Sequence, residues 1–238
     1  MVSRFANLLQ AGRVRQWTSA ARELIGTRNA PVPDTPAGEL TNSPLLASLV
    51  GQCAERPRCH VLDLGPAISS NIAFFQQLHC KLEIADCGAE LLRLSRRGED
   101  EPTPLDVQLA RLVPVDPDDP YDAILAWDLL NYLDKPLFAA LAAHLAPAVT
   151  GDTQLHAYIG ARKTLAAEPA QYRLQDEGKV EVRTRSAVTR ACPCYHQMEL
   201  RNLLPQFGVA RSTLLQNGMQ EYLFKGQGRG HRAAARRR

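Results

Sequence analysis

Three short apolar runs in the middle of this chain each lead to an aspartate, and this pattern narrows the possible folds more than any other. Cys59-His-Val-Leu-Asp63 runs into Leu64-Gly65, Cys80-Lys-Leu-Glu-Ile-Ala runs into Asp86, and Tyr121-Asp-Ala-Ile-Leu-Ala-Trp127 runs into Asp128. Runs of this length fit buried strands, and the segments between them have helical spacing. Ile72, Phe75 and Leu78 lie on one face of a predicted helix over 71–78, and a second helix carries Leu91, Leu92 and Leu94. Short strands alternating with helices predict βαβ units around a mostly parallel α/β sheet. A helix over 43–55 precedes the first strand, and a strand over 154–159 follows the last of the three. Between these, Asp134 and Pro136 open a helix bearing Leu137, Leu141 and Leu145. Residues 98–120 are rich in Pro, Asp and Glu and leave a third strand or a short helix open near 107–115.

The end of the chain departs from this rhythm. A helix over 197–204 leads to two β-type runs, 209–215 and 219–224, joined through Gln216-Asn217-Gly218. Asn-Gly between such runs predicts a hairpin. A parallel sheet that closes on an antiparallel hairpin is a restrictive combination. A second hairpin is expected over 172–183, turning at Asp176-Glu177-Gly178, and either covers a site or forms a solvated edge. Residues 1–42 read as an N-terminal helical segment (periodic over 5–25) and a proline-broken linker, 43–226 as the α/β domain, and 227–238 as a basic disordered tail.

In an open parallel sheet, ligands sit beyond the carboxyl ends of the strands, where the strand order reverses. The three aspartates fall at such ends. Gly65 and Asp86 stand 21 residues apart, close to the separation between a glycine turn and a ribose-binding acid. A carboxylate there accepts hydrogen bonds from both ribose hydroxyls. This spacing alone suits a nicotinamide cofactor equally well.

Taken together, Val61-Leu-Asp-Leu-Gly65, Ile84-Ala-Asp86, the run from Tyr121 to Leu133 and His144-Leu-Ala-Pro147 resemble the class I S-adenosylmethionine-dependent methyltransferase superfamily. The resemblance covers roughly residues 45–226 and implies a Rossmann-like methyltransferase fold with S-adenosylmethionine as cofactor. It assigns cofactor roles to Asp63, Gly65, Asp86 and Asp128, extends them to the loop residues Ser69, Ser70 and Asn71, and places Asp116 beside adenine. It names no catalytic base, and the methyl acceptor, small molecule or protein, stays unidentified. The family loop Asp-x-Gly-x-Gly-x-Gly is altered here to Asp63-Leu-Gly-Pro-Ala-Ile-Ser69. The lost glycines count more heavily against a dinucleotide pyrophosphate, which needs a dense nest of backbone amides, than against a cofactor without phosphate. The alternative reading is a catalytically degenerate methyltransferase fold acting as an interaction or regulatory module.

Charge and cysteines bound the remaining classes. The net charge of +3 comes from the tail: Lys225–Arg238 hold six basic residues and no acid, and the rest carries 22 basic against 25 acidic residues. The balance gives no support for a basic face across the whole protein, and the tail offers at most weak, unspecific nucleic-acid contact. No apolar run reaches membrane-spanning length. The N-terminus lacks the pattern of a signal peptide, and six dispersed cysteines fit free thiols in the cytoplasm. Cys53, Cys59, His60, His79, Cys80 and Cys87 form no metal-binding spacing, and Cys192-Pro-Cys194 lies where the superfamily places substrate elements.

Overall fold

The computed structural model describes residues 38–96, 103–176 and 178–228. The predicted N-terminal helix, the proline-rich linker over 31–36 and the basic tail beyond 228 lie outside them. In chain order the elements are β1 (Glu39–Asn42), α1 (Pro44–Glu55), β2 (Cys59–Asp63), α2 (Ser69–Gln77), β3 (Cys80–Ile84) and α3 (Gly88–Arg96). Next come α4 (Leu105–Leu112), β4 (Ala123–Trp127), a 3₁₀ turn (Leu129–Tyr132), α5 (Lys135–Leu145), β5 (Gln154–Gly160) and β6 (Thr164–Ala166). The chain continues through β7 (Gln171–Asp176), β8 (Lys179–Arg183), β9 (Thr189–Ala191), α6 (Gln197–Leu203), β10 (Phe207–Leu214) and β11 (Met219–Gly226).

The main sheet has six strands in the order β10-β11-β5-β4-β2-β3. Strands β3, β2, β4 and β5 run parallel, whereas β11 pairs antiparallel to β5 and β10 antiparallel to β11. The chain steps outward from β2 to β3 and then returns to place β4 on the other side of β2. The strand order therefore reverses between β2 and β4, and the ligand site of such a sheet lies at that switch. This is the expected Rossmann-like methyltransferase fold, closing on the hairpin around Asn217-Gly218. Gly218 takes φ +81°, which glycine adopts without penalty, and Asn217 Oδ1 accepts from Met219 N at 3.0 Å.

The open choice near 107–115 resolves as a helix. Leu105, Leu109 and Leu112 repeat at helical spacing, Leu109 is fully buried, and His144 Nε2 donates to the Val113 carbonyl at 2.9 Å, fixing the chain after α4 to α5. Strand β3 is thus the sheet edge among the described residues. It carries Lys81 and Glu83, which pair with each other at 2.6 Å, and charges of this kind blunt an edge against further pairing.

Apolar side chains fill both faces. One layer packs Leu91, Leu109, Phe138 and Leu200 against the sheet, and the other packs Leu46, Leu49, Phe75 and Leu174. The second layer includes a three-stranded antiparallel sheet in the order β1-β8-β7. Its β7–β8 hairpin matches the expectation, but β1 lies in what reads as linker. Residues 39–42 earn their strand from a partner about 140 positions away, Lys179–Val182.

A buried polar knot ties α1 to the sheet. Glu221 Oε1 on β11 accepts from Leu45 N at 3.1 Å and Leu46 N at 2.9 Å, supplying from a distant strand the anion that a helix N-terminus favours. The same oxygen accepts from Ser43 Oγ at 2.5 Å and lies 2.9 Å from His156 Nε2, with His156 and Glu221 both fully buried. Burial opposes ionisation of Glu221, yet His156, Ser43 and the Leu46 amide together outweigh it and hold the carboxyl below its usual range. Among the described residues, no helix is long and apolar enough to cross a membrane.

Candidate functional site

A cavity of about 470 Å³ opens at the β2/β4 switch point. Its floor is built from the residues that follow three parallel strands: Leu64–Pro66 after β2, Asp86 and Gly88 after β3, and Trp127–Leu129 at the end of β4. Helix α3 adds Leu92, Arg93 and Arg96. The fourth wall is the segment Glu168–Gln171 that leads into β7, together with Arg185. The volume lies within the range of small-molecule and cofactor sites, and the walls combine apolar surface with a few convergent charges.

The backbone is strained where the cavity needs particular directions. Asp86 and Trp127 have φ of 43° and 48°, the left-handed region that residues other than glycine avoid. Trp127 is the last residue of β4 and Asp86 lies two residues past the end of β3. Such outliers persist where surrounding contacts overdetermine them, and they gather at functional sites.

Asp63 was expected to meet the cofactor beside Asp86 and Asp128. The structure seats it beneath the cavity instead, almost fully buried and absent from the lining. Its Oδ1 accepts from Gly65 N at 2.8 Å and from Trp127 Nε1 at 2.6 Å. Burial raises its pKa to about 6, with the bonds from Trp127 and Gly65 restraining the rise. Gly65 does line the cavity, but the space its missing side chain leaves is filled by Trp127: a Cβ there would lie 2.7 Å from Cδ1 of the indole. Trp127 in turn stacks on Tyr172, with ring centroids 5.3 Å apart, and Tyr172 stacks on Tyr158 at 4.9 Å.

The altered loop bears no left-handed strain. Of the described residues from 63 to 70, none has positive φ, so Ala67 and Ser69 fit where the family uses glycine. Ser69 and Ser70 begin α2 with exposed side chains and do not line the cavity. Asn71 is buried and faces β7, donating to the Tyr172 carbonyl at 2.9 Å and accepting from Leu174 N at 2.9 Å. Asp116 lies away from the cavity lining, where its Oδ1 accepts from Asp118 N at 2.9 Å.

Asp86 and Asp128 are the two acids of the expected set that share the cavity. Asp86 is exposed to it. Asp128 is buried and accepts from Ala170 N through Oδ2 at 3.0 Å. Burial pushes its pKa up to about 7, against the hydrogen bonds of Ala170, Tyr172 and Tyr132. Tyr132 Oη donates to the Glu168 carbonyl at 2.9 Å. Tyr132, Asp128 and Asn71 therefore clamp successive points of the segment 168–174 over the sheet ends, a role that sequence reading missed. Cys192 lies next to the same region: a Cβ on Gly160 would stand 2.4 Å from its Sγ, and Gly160 N donates to Asn131 Oδ1 at 2.8 Å.

No protein-family model matches this sequence, and no curated protein matches it. Solved structures with a similar fold include 1,6-didemethyltoxoflavin-N1-methyltransferase of Burkholderia thailandensis, 13% identical over 76% of each chain with a TM-score of 0.41. Magnesium protoporphyrin IX methyltransferase of Synechocystis PCC 6803 is 13% identical over 77% of this chain and 76% of its own, with a TM-score of 0.44. The glycopeptide N-methyltransferase MtfA is 13% identical over 84% of this chain and 99% of its own, with a TM-score of 0.42. The assignment of the fold rests on the strand order and the closing hairpin.

Proposed function

We propose that the cavity at the β2/β4 switch binds S-adenosylmethionine and that the protein transfers its methyl group to an acceptor. The observation that carries this reading is the presence of two carboxylates, Asp86 and Asp128, on one cavity of cofactor size at the reversal of the strand order. Asp86, exposed at the end of β3, would hold the ribose hydroxyls. Gly65, Pro66 and Leu129 would flank the methionyl portion, and Leu64, Ala89 and Leu92 offer apolar surface to the base. The bound sulfonium supplies an electrophilic methyl group, and the chain's part is to orient the acceptor in line and exclude water. Asp128 stands where a positive charge would favour its ionised form, and its anchoring of Ala170 couples that charge to the wall over the site.

One observation favours the second reading, a fold retained for interaction. Asp63 Oδ1 accepts from both Gly65 and Trp127, and the indole occupies the space over the loop glycine. Calorimetric titration with S-adenosylmethionine and S-adenosylhomocysteine separates the two. The methyltransferase reading predicts saturable binding, with a dissociation constant in the micromolar to sub-millimolar range, weakened about tenfold or more in Asp86→Ala. Asp86→Asn is the companion variant, because asparagine tolerates the left-handed backbone that alanine does not. A folded sample that gives no heat with either ligand supports the interaction module.

A further inference from the structure

A second cavity of about 240 Å³ adjoins the first and shares Leu92 and Arg96 with it. Ser95, Tyr132, Ala167 and Arg190 complete its lining. The two cavities differ in charge. The larger one mixes Asp86, Asp128 and Glu168 with three arginines, whereas the smaller one is lined by two arginines and no carboxylate among the described residues.

Those guanidinium groups are not spent on ion pairs within the described fold. The arginine ion pairs there engage Arg56, Arg93 and Arg183. Arg190 instead lies over the Tyr132 ring, its Cζ 5.6 Å from the centroid, so an aromatic face orients it without neutralising it. Tyr132 is itself held, since its hydroxyl donates to the Glu168 carbonyl. Ser95 Oγ accepts from Asp134 N at 2.9 Å, which leaves its own proton to donate. Two guanidinium groups and a hydroxyl donor therefore border one small space, while Leu92 and Ala167 give it apolar walls. Guanidinium groups match carboxylate and phosphate oxygens in geometry as well as charge.

We propose that this smaller cavity is the acceptor pocket and that the acceptor is a small molecule with an apolar body, presenting a carboxylate or phosphate to Arg96 and Arg190. The proposal rests on the methyltransferase reading only for the word acceptor; the anion site stands on its own geometry. It also narrows the acceptor from small molecule or protein to an anionic small molecule.

The test uses the full chain and four probes, benzoate and phenyl phosphate with their neutral counterparts benzamide and phenol, followed by ligand-observed NMR and calorimetry. At least one anion is expected to bind in the millimolar range or tighter, and its neutral counterpart at least tenfold more weakly, since each charge-assisted hydrogen bond lost is worth about tenfold or more. The preferred anion distinguishes carboxylate from phosphate. Arg190→Ala weakens that anion at least tenfold while Arg190→Lys retains part of the affinity, and added salt weakens binding in the wild type. Arg190 is exposed, so neither substitution threatens the fold. Equal binding of charged and neutral probes, or an Arg190→Ala chain that binds the anion as well as wild type, overturns the proposal. S-adenosylhomocysteine affinity is expected to be unchanged in Arg190→Ala; a parallel loss would mean that the pocket reads the cofactor's own carboxylate and would overturn the acceptor assignment. Anion binding without any S-adenosylhomocysteine binding leaves the anion site standing and counts against the methyltransferase reading.

Discussion

Replacing Gly65 by alanine asks what the one surviving glycine of the loop is for. If it is glycine so that a cofactor can approach, the ligand-free protein should tolerate the change. The packing gives a different answer. A Cβ at position 65 would stand 2.7 Å from Cδ1 and 2.8 Å from Nε1 of Trp127, and 3.0 Å from Asp63 Oδ1. The indole is held in place: it is 4% exposed, bonded to Asp63 and stacked on Tyr172, which is stacked on Tyr158. Overpacking of this kind costs about 1–3 kcal/mol. Displacing the indole also breaks its 2.6 Å bond to Asp63 and strips a donor from a buried carboxylate, which costs about another 1–3 kcal/mol. A loss near 4 kcal/mol lowers Tm by roughly 8–16 °C in a domain of this size. Thermal and urea unfolding of the ligand-free chain at neutral pH measures it, and a double-mutant cycle isolates its cause. In a Trp127→Ala background the clash with the indole is gone and only the 3.0 Å approach to Asp63 Oδ1 remains, so Gly65→Ala should then cost less than about 1 kcal/mol, a coupling of about 3 kcal/mol or more. A ligand-free Gly65→Ala chain within about 0.5 kcal/mol of wild type refutes the reasoning, because it would mean that the indole moves aside freely.

Two further outcomes follow from the clamp over the site. Asp128 has its pKa raised from 3.8 to about 7, so between those values the folded chain keeps a proton that the unfolded chain releases, and stability falls as pH rises through that window. The shift corresponds to about 4 kcal/mol, fully felt above pH ~7. Asp63, raised to about 6 by burial, adds a loss of the same sign at the lower end. Asp128→Asn keeps an acceptor for Ala170 N and removes the charge, so urea midpoints measured from pH 4 to 8 should flatten; an unchanged slope would show that Asp128 ionises without penalty. Asn71→Ala removes the amide that bonds Tyr172 and Leu174, a loss of about 2–3 kcal/mol, and should speed amide exchange through β7 and β8 relative to the main sheet. Unaltered protection there would place the hold on the hairpin elsewhere.

Local pattern made most of the main sheet legible. The runs ending at Asp63 and Trp127 are continuous and apolar because both faces of those strands are covered, and Asn217-Gly218 encodes its own turn. Strand β1 was not legible, since four residues after a proline-rich stretch become a strand only by pairing with β8. Position 107–115 was ambiguous because three leucines at helical spacing sit among prolines and acids, where a third strand was an equal candidate. For the site, the separation of Gly65 from Asp86 pointed to a residue that does line the cavity. Asp63 stands at a strand end, where sequence suggests a ligand, but its partner is an indole 64 residues away in the chain, which no local pattern reveals. Asn71 was read as a loop ligand, yet its amide is taken by a hairpin about 100 residues on. The arginines of the two cavities were invisible to sequence because Arg96, Arg185 and Arg190 come from separate segments and carry no motif.

Fluorescence of Trp127 tests the central claim most directly, because this side chain is part of the cavity wall. In the full chain with Trp17→Phe, Trp127 is the sole tryptophan. Titration with S-adenosylhomocysteine should give a saturable change in its emission, with the dissociation constant found by calorimetry, and S-adenosylmethionine should compete for it. Emission that stays flat while calorimetry saturates would place the ligand away from the ends of β2 and β4, and no saturation by either method up to millimolar ligand would contradict the nucleoside site itself.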